Sequence, residues 1–131
     1  IITLTRKYGP LEYVRRVEQA VIDTLADHWD VHGIRVDGRT GVWLPADGQR
    51  PERKICAIGV RVSRRTTMHG FALNITRKSL PPFLAITPCG IQGVQMTCLE
   101  DEMFSPLPEG NLLKCFGDVF AALWEEKFNR Y

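Results

Sequence analysis

From Lys54 to Ser63 the sequence alternates in a way that fixes the middle of the fold. Lys54, Cys56, Ile58, Val60 and Val62 fall on one face of an extended chain, and Ile55, Ala57, Gly59, Arg61 and Ser63 on the other. Thr66 to Ile75 reads as the antiparallel partner strand, with Ser63-Arg64-Arg65 at or near the turn, although no Asn-Gly or Asp-Gly pair specifies the turn type. Two features of this hairpin are unusual. A lysine heads the apolar row, and glycines stand inside both strands, at 59 and 70. Strand-interior glycine marks a bulge or a place where another backbone or a ligand comes close.

Other elements arrange themselves around the hairpin. Leu11, Val14, Val17, Val21 and Leu25 recur at helical spacing, and Pro10 suits a first turn where its missing N–H costs nothing, so a helix is predicted from Pro10 to about Trp29. Thr40 to Leu44 reads as a strand ended by Pro45, followed by an exposed polar loop to Pro51. Ile1 to Leu4 reads as a strand already under way. The stretch from Thr76 to Gly93 holds Pro81-Pro82 and Pro88-Cys89-Gly90 and is expected to be irregular. Leu112, Leu113, Phe116, Val119, Phe120 and Leu123 then mark an amphipathic C-terminal helix with Asn111 as candidate N-cap. The sum is an α+β domain, and 131 residues suffice for one hydrophobic core.

Charge and cysteine usage exclude several classes of function. With 17 basic and 15 acidic side chains the net charge is only +2, too small a field to single out a polyanion. Arg61, Arg64 and Arg65 form a local basic cluster that reads either as a solvated strand end or as a dock for an acidic carrier protein. It lacks the interleaved aromatics on which nucleic-acid bases stack, so no nucleic-acid partner is expected. No apolar run approaches the ~18–20 residues that span a bilayer, and no membrane partner is expected. Cys56, Cys89, Cys98 and Cys115 show no C-x-x-C spacing, which disfavours a disulfide frame or a zinc site and points to a reducing compartment.

The same cysteines are the candidate nucleophiles. Cys56 on an apolar strand face and Cys115 near a helix stripe read as small inert hydrophobes, and Cys98 as packing near a helix start. Cys89 differs: it sits in a Pro-Cys-Gly turn, where the neighbouring N–H of Gly90 is available to a developing oxyanion. Lys54 is the other unusual side chain. Burial among apolar neighbours favours the neutral form of a lysine, while the alternative is an edge lysine whose stem snorkels to water. His28 and His32 border a helix C-terminus, His69 stands beside Gly70, and no metal cluster is visible.

These residues stand in runs that resemble the lipoyl(octanoyl) transferase family: Gly41-Val42-Trp43, Arg53-Lys54-Ile55-Cys56-Ala57-Ile58-Gly59-Val60-Arg61, Met68-His69-Gly70-Phe71-Ala72-Leu73-Asn74 and Pro88-Cys89-Gly90-Ile91. The similarity runs from about Tyr8 to Glu102. The family's upstream R-G-G-x-x-T-x-H-G-P-G-Q signature has no counterpart, so residues 1–131 are expected to be a single catalytic domain of this type, incomplete at its N-terminus. Ser79 stands where an Asp is common in the family, and Thr97-Cys98-Leu99 where Thr-Ser-Leu is usual.

The resemblance implies the mixed sheet and packed helices of the biotin and lipoate protein ligases. It also implies transfer of an octanoyl group from acyl carrier protein to a lysine of lipoyl domains, those of 2-oxoacid dehydrogenases and the glycine cleavage H protein, through a cysteine thioester. By the same resemblance Cys89 and Lys54 are the catalytic pair, and Ala57, Ile58 and Gly59 with Gly70, Phe71 and Ala72 bind the acyl substrate. No cofactor is implied, ATP included. The implied compartment is the bacterial cytoplasm, with a mitochondrial or plastid matrix as the alternative. A second reading is a non-catalytic module of the same fold that binds acyl or lipoyl carriers.

Overall fold

The computed structural model describes residues 1–4, 6, 9–80 and 94–104, together with Lys114, Gly117 and Asp118. Within it, helix α1 (Pro10–Trp29) lies against a sheet built from β1 (Ile34–Val36), β2 (Arg39–Leu44), β3 (Arg53–Ser63), β4 (Thr66–Leu73) and β5 (Gln95–Met96), and a single helical turn, α2 (Leu99–Glu102), follows β5. The first four strands run antiparallel in sequence order, and β5 joins β3 in parallel, so the sheet is mixed. The class is α+β, as the alternating and helical periods predict.

Helix α1 begins with Pro10 at the first helical position. It is stopped by Asp30, which adopts a left-handed conformation (φ 53°) and lets the N–H of Val31 reach back to the carbonyl of Leu25 at 3.1 Å. Val21 and Leu25 are fully buried and pack with Val31, Val42, Leu44, Ile55, Cys56 and Leu99. Each side chain of this size contributes roughly 1.5–3 kcal/mol by leaving water. Earlier on the helix, Tyr13 and Val17 meet Leu4 and the β3 residues Ile58, Val60 and Val62. Ile58 and its register partner Phe71 touch both clusters and join them into one core. Leu11, counted in the apolar stripe, is instead 67% exposed.

The β3–β4 hairpin pairs without interruption from Cys56↔Leu73 to Ser63↔Thr66. Its two-residue turn is made by Arg64 (φ 48°) and Arg65 (φ 66°). Both are left-handed, the geometry that the twist of a two-residue hairpin asks for and that Asn-Gly usually supplies. Arginine tolerates it here because Arg65 is tied down: its Nε donates to the carbonyl of Leu4 at 2.9 Å. The basic cluster is thus partly structural. The opening residues lie along β4, with Thr3 bridging Thr66 and the Thr67 N–H donating to Ile2, a single bridge rather than a full strand.

Strands β1 and β5 carry no pattern long enough to read in advance. An Asp37-Gly38 turn, with Gly38 at φ 75°, closes the β1–β2 hairpin and was the available signal for β1. The predicted irregular stretch is a short 3-10 turn at Arg77–Ser79 as far as it is described. Its remainder from residue 81 to 93, Cys89 among it, lies outside the described residues. So does the predicted C-terminal helix, except that Lys114, Gly117 and Asp118 are helical.

Candidate functional site

The site is organised by the first half of β3. Lys54 is half-buried and stands directly opposite Trp43 of β2, a register set by a bulge between Val42 and Trp43. The bulge turns the fully buried indole beneath the lysine, and the Lys54 ammonium lies 4.9 Å from the ring centroid. That is a cation–π contact of ordinary strength. The stem of Lys54 passes over Gly41: a Cβ built on that glycine would stand 3.3 Å from Cε. The lysine is therefore neither snorkelling freely nor sealed in the core.

On β3 the parity that places Lys54 with Ile58 puts Ala57 and Gly59 on the opposite, exposed face. There Ala57 faces Ala72 and Gly59 faces Gly70 across the ladder. Two consecutive pairs of the smallest side chains leave an open cleft of about 270 Å³, lined by Ala57, Gly59, Gly70, Phe71 and Ala72. Bare backbone and methyl groups make such a floor suited to an extended alkyl chain, because nothing projects into it and nothing polar is left unpaired by covering it. Five of the six residues expected to bind the acyl group come together here. Ile58 does not; it packs into the core on the other face. His69 adjoins the cleft without lining it and holds φ 66° inside a strand, a conformation that costs a non-glycine residue about 1–3 kcal/mol.

The thiols separate as the sequence predicts where they are described. Cys56 is fully buried, and burial pushes its thiol up to about 12 despite the Lys54 charge, which pulls the other way. Cys98 is buried at the N-cap of α2, and burial raises it too. Neither is a nucleophile near neutral pH. Cys89 and Cys115 lie outside the described residues.

What is described is how the segment that carries Cys89 is moored. Before it, the Asn74 N–H donates to the carbonyl of Ile55 at 3.0 Å; after it, Met96 pairs with Lys54 and the Thr97 N–H donates to the Lys54 carbonyl at 2.9 Å. The two flanks also bond each other, Leu99 N–H to Asn74 and Glu100 N–H to Ile75, both at 2.9 Å. Arg53, the neighbour of Lys54, grips Glu102 with two nitrogens at 2.6 and 2.8 Å, and Thr97 donates its hydroxyl to the same carboxylate at 2.7 Å. Burial alone would raise Glu102, but the bonds from Arg53 and Thr97 outweigh it and hold the carboxyl below its ordinary range. Among the described residues, no group of three or more His, Cys, Asp or Glu converges as a metal site would require.

The lipoyl protein ligase A/B catalytic domain model matches residues 1–120. The chain belongs to that family. The match extends past both ends of the resemblance drawn from the motifs. Among curated relatives, an octanoyltransferase of Cutibacterium acnes is 52% identical over 103 residues, covering 79% of this chain and 37% of the relative. One from Mycobacterium avium is 45% identical over 119 residues, covering 91% and 50%, and one from Mycobacterium tuberculosis is 52% identical over 103 residues, covering 79% and 43%. This chain thus spans half or less of the length of these relatives.

The motifs single out Lys54 and the strand glycines and assign no role to Trp43, Gly41 or Arg53, although all three stand in the matching runs. A sequence shows that Trp43 and Lys54 are both present; it does not show a bulge that sets one beneath the other.

Proposed function

We propose that this chain is the catalytic portion of an octanoyltransferase of lipoate biosynthesis, with Cys89 as nucleophile and Lys54 as its proton-exchanging partner. The observation that carries the reading is the identity, 45–52% over most of the chain, to relatives named octanoyltransferase. The small-residue cleft and the mooring of both flanks of residues 81–93 at Lys54–Ile55 support it. Cys89 stands only seven positions before Met96, the register partner of Lys54, so the chain cannot carry it more than about 25 Å from that partner.

In the proposed reaction the Cys89 thiolate attacks the carbonyl carbon of an octanoyl thioester on acyl carrier protein. A new C–S bond forms, the carrier's C–S bond breaks, and the carrier thiolate takes up a proton. The ε-amine of a lipoyl-domain lysine then attacks the enzyme thioester, forming an amide, losing a proton and releasing the Cys89 sulfur. The first exchange is nearly balanced, the amide drives the second, and no electrons change hands. Lys54 carries protons between the sulfur and the incoming amine, and its charge stabilises the thiolate. We assign the alkyl chain to the Ala57–Ala72 and Gly59–Gly70 floor, which lies on the face of β3 opposite the Lys54 side chain. The compartment that goes with this reading is the bacterial cytoplasm, where acyl and lipoyl carriers meet, with a mitochondrial or plastid matrix as the alternative.

Incubation with octanoyl-acyl carrier protein followed by intact-mass measurement tests the reading. The expected result is an octanoyl adduct on the wild-type chain and none on Cys89→Ser. An adduct on Cys89→Ser at the wild-type rate overturns the assignment. Because the chain covers half or less of its relatives' length, the second reading, a carrier-binding module without transfer, predicts carrier binding with no adduct on either protein.

A further inference from the structure

Glu18 lies on the inner face of α1 and is only 5% exposed. Its one hydrogen bond among the described residues is from the N–H of Gly41 to Oε2, at 3.3 Å, and no cation pairs with it directly. Arg53, another buried charge, has a bidentate carboxylate; Glu18 has one long bond to a backbone amide. A carboxylate withdrawn from water for so little return calls for another partner.

Lys54 shares a neighbour with Glu18. Gly41, the residue whose N–H Glu18 holds, is the same residue over which the Lys54 stem passes, with Cε and Cδ at 3.3 and 3.6 Å from the position a Cβ would take. The Cys56 thiol feels both groups, drawn down by the Lys54 charge and pushed up by that of Glu18. Ammonium and carboxylate therefore act on one buried sulfur from a shared neighbourhood, short of a direct ion pair. The ammonium in turn rests on Trp43.

We propose that Glu18 is the positioning residue for Lys54, one oxygen fixing the Gly41 backbone as a seat for the lysine stem while its charge holds the ammonium on the Trp43 ring. Nothing in the motifs singled out Glu18, because it sits in a different element from every residue of the candidate site. A carboxylate needed only to accept the Gly41 N–H is replaceable by glutamine, whose amide oxygen accepts the same bond. One that positions Lys54 by charge is not. The catalytic consequence rests on the proposed function; the positioning does not.

Two readouts on the full chain separate these cases. The ε-methylene protons of Lys54 are shielded by the Trp43 ring in the position described, and NMR, assigned with Lys54→Arg, reports whether they stay there. In Glu18→Gln the Gly41 amide and the melting temperature are expected to stay near wild type while the Lys54 protons move toward their unstructured positions. Octanoyl transfer is expected to fall in kcat by roughly 10–100-fold, the scale set by misplacing a reacting group, with KM for the carrier unchanged. Unchanged Lys54 shifts in Glu18→Gln overturn the proposal. If Glu18→Gln does not fold, it is compared with Glu18→Gln combined with Lys54→Met. Recovery of folding in the double variant supports the pairing, and failure to recover refutes it. Lys54 shifts that respond in a protein with no transferase activity leave the positioning intact and sink the proposed function instead.

Discussion

Gly59 and Gly70 face each other across the β3–β4 ladder, and a Cβ added to either would meet nothing within 4 Å. Neither has a left-handed φ. Packing and backbone conformation therefore give no reason for glycine at these two positions, which leaves the open cleft they floor.

Gly70→Ala is accordingly expected to stabilise the chain by about 0.5–1 kcal/mol, since glycine in a strand carries that entropic cost relative to alanine. Gly59→Val and Gly70→Val are expected to keep the fold and fill the cleft, suppressing octanoyl-adduct formation. Denaturant melts read the first effect and intact mass the second; valine variants that acylate at the wild-type rate would move the alkyl site elsewhere.

Gly41 presents the opposite case. Its φ is 127°, and a Cβ there would stand 2.6 Å from the carbonyl oxygen of Cys56. Gly41→Ala is expected to destabilise by at least the 1–3 kcal/mol of an unfavourable backbone conformation, roughly, and to displace Lys54 as the strands part. A thermal melt matching wild type would contradict the packing at β2–β3.

The Arg53–Glu102 pair is nearly sealed from water, with side chains 7% and 4% exposed. Removing one partner of such a pair typically costs about 3–5 kcal/mol. Glu102→Ala should fall at the lower end, because Arg53 keeps bonds to the carbonyls of Pro45 and Pro51. The folded-state carboxyl lies below its unfolded value. Its contribution is therefore present above the unfolded pKa and disappears as pH falls through the folded one. Melting temperatures measured down through the acid range are expected to drop more steeply for wild type than for Glu102→Ala.

Cys56, with its thiol pushed up to about 12 by burial, is expected to resist alkylation at pH 8 in the folded chain and to react once denaturant exposes it. Peptide mapping after brief iodoacetamide treatment checks this. Labelling of Cys56 in the native protein would mean the β3 core opens readily.

Helix α1, the β3–β4 hairpin and the inert character of Cys56 were legible because each depends on a local period: 3.6 residues for Val17, Val21 and Leu25, and two residues for Cys56, Ile58 and Val60. The small-residue runs were legible as well, since Gly59 and Gly70 are conspicuous in strands wherever the strands lie. Pairing Gly59 with Gly70 and Ala57 with Ala72 needed the register, which Arg64 and Arg65 set through a left-handed turn that no sequence rule assigns to arginine. Strand β5 could not be read from two residues; it exists because β3 offers it an edge at Arg53 and Lys54.

For Lys54 the division is sharpest. The sequence by itself determined that a lysine would head an apolar row on β3. Only the tertiary structure decided what that lysine meets, because Trp43 reaches it through a bulge and Gly41, whose N–H is held by Glu18 of α1, through an absent side chain. Local periodicity encodes which face a residue occupies, whereas its partners depend on register and on the docking of separate elements, which the summed burial of the whole core selects.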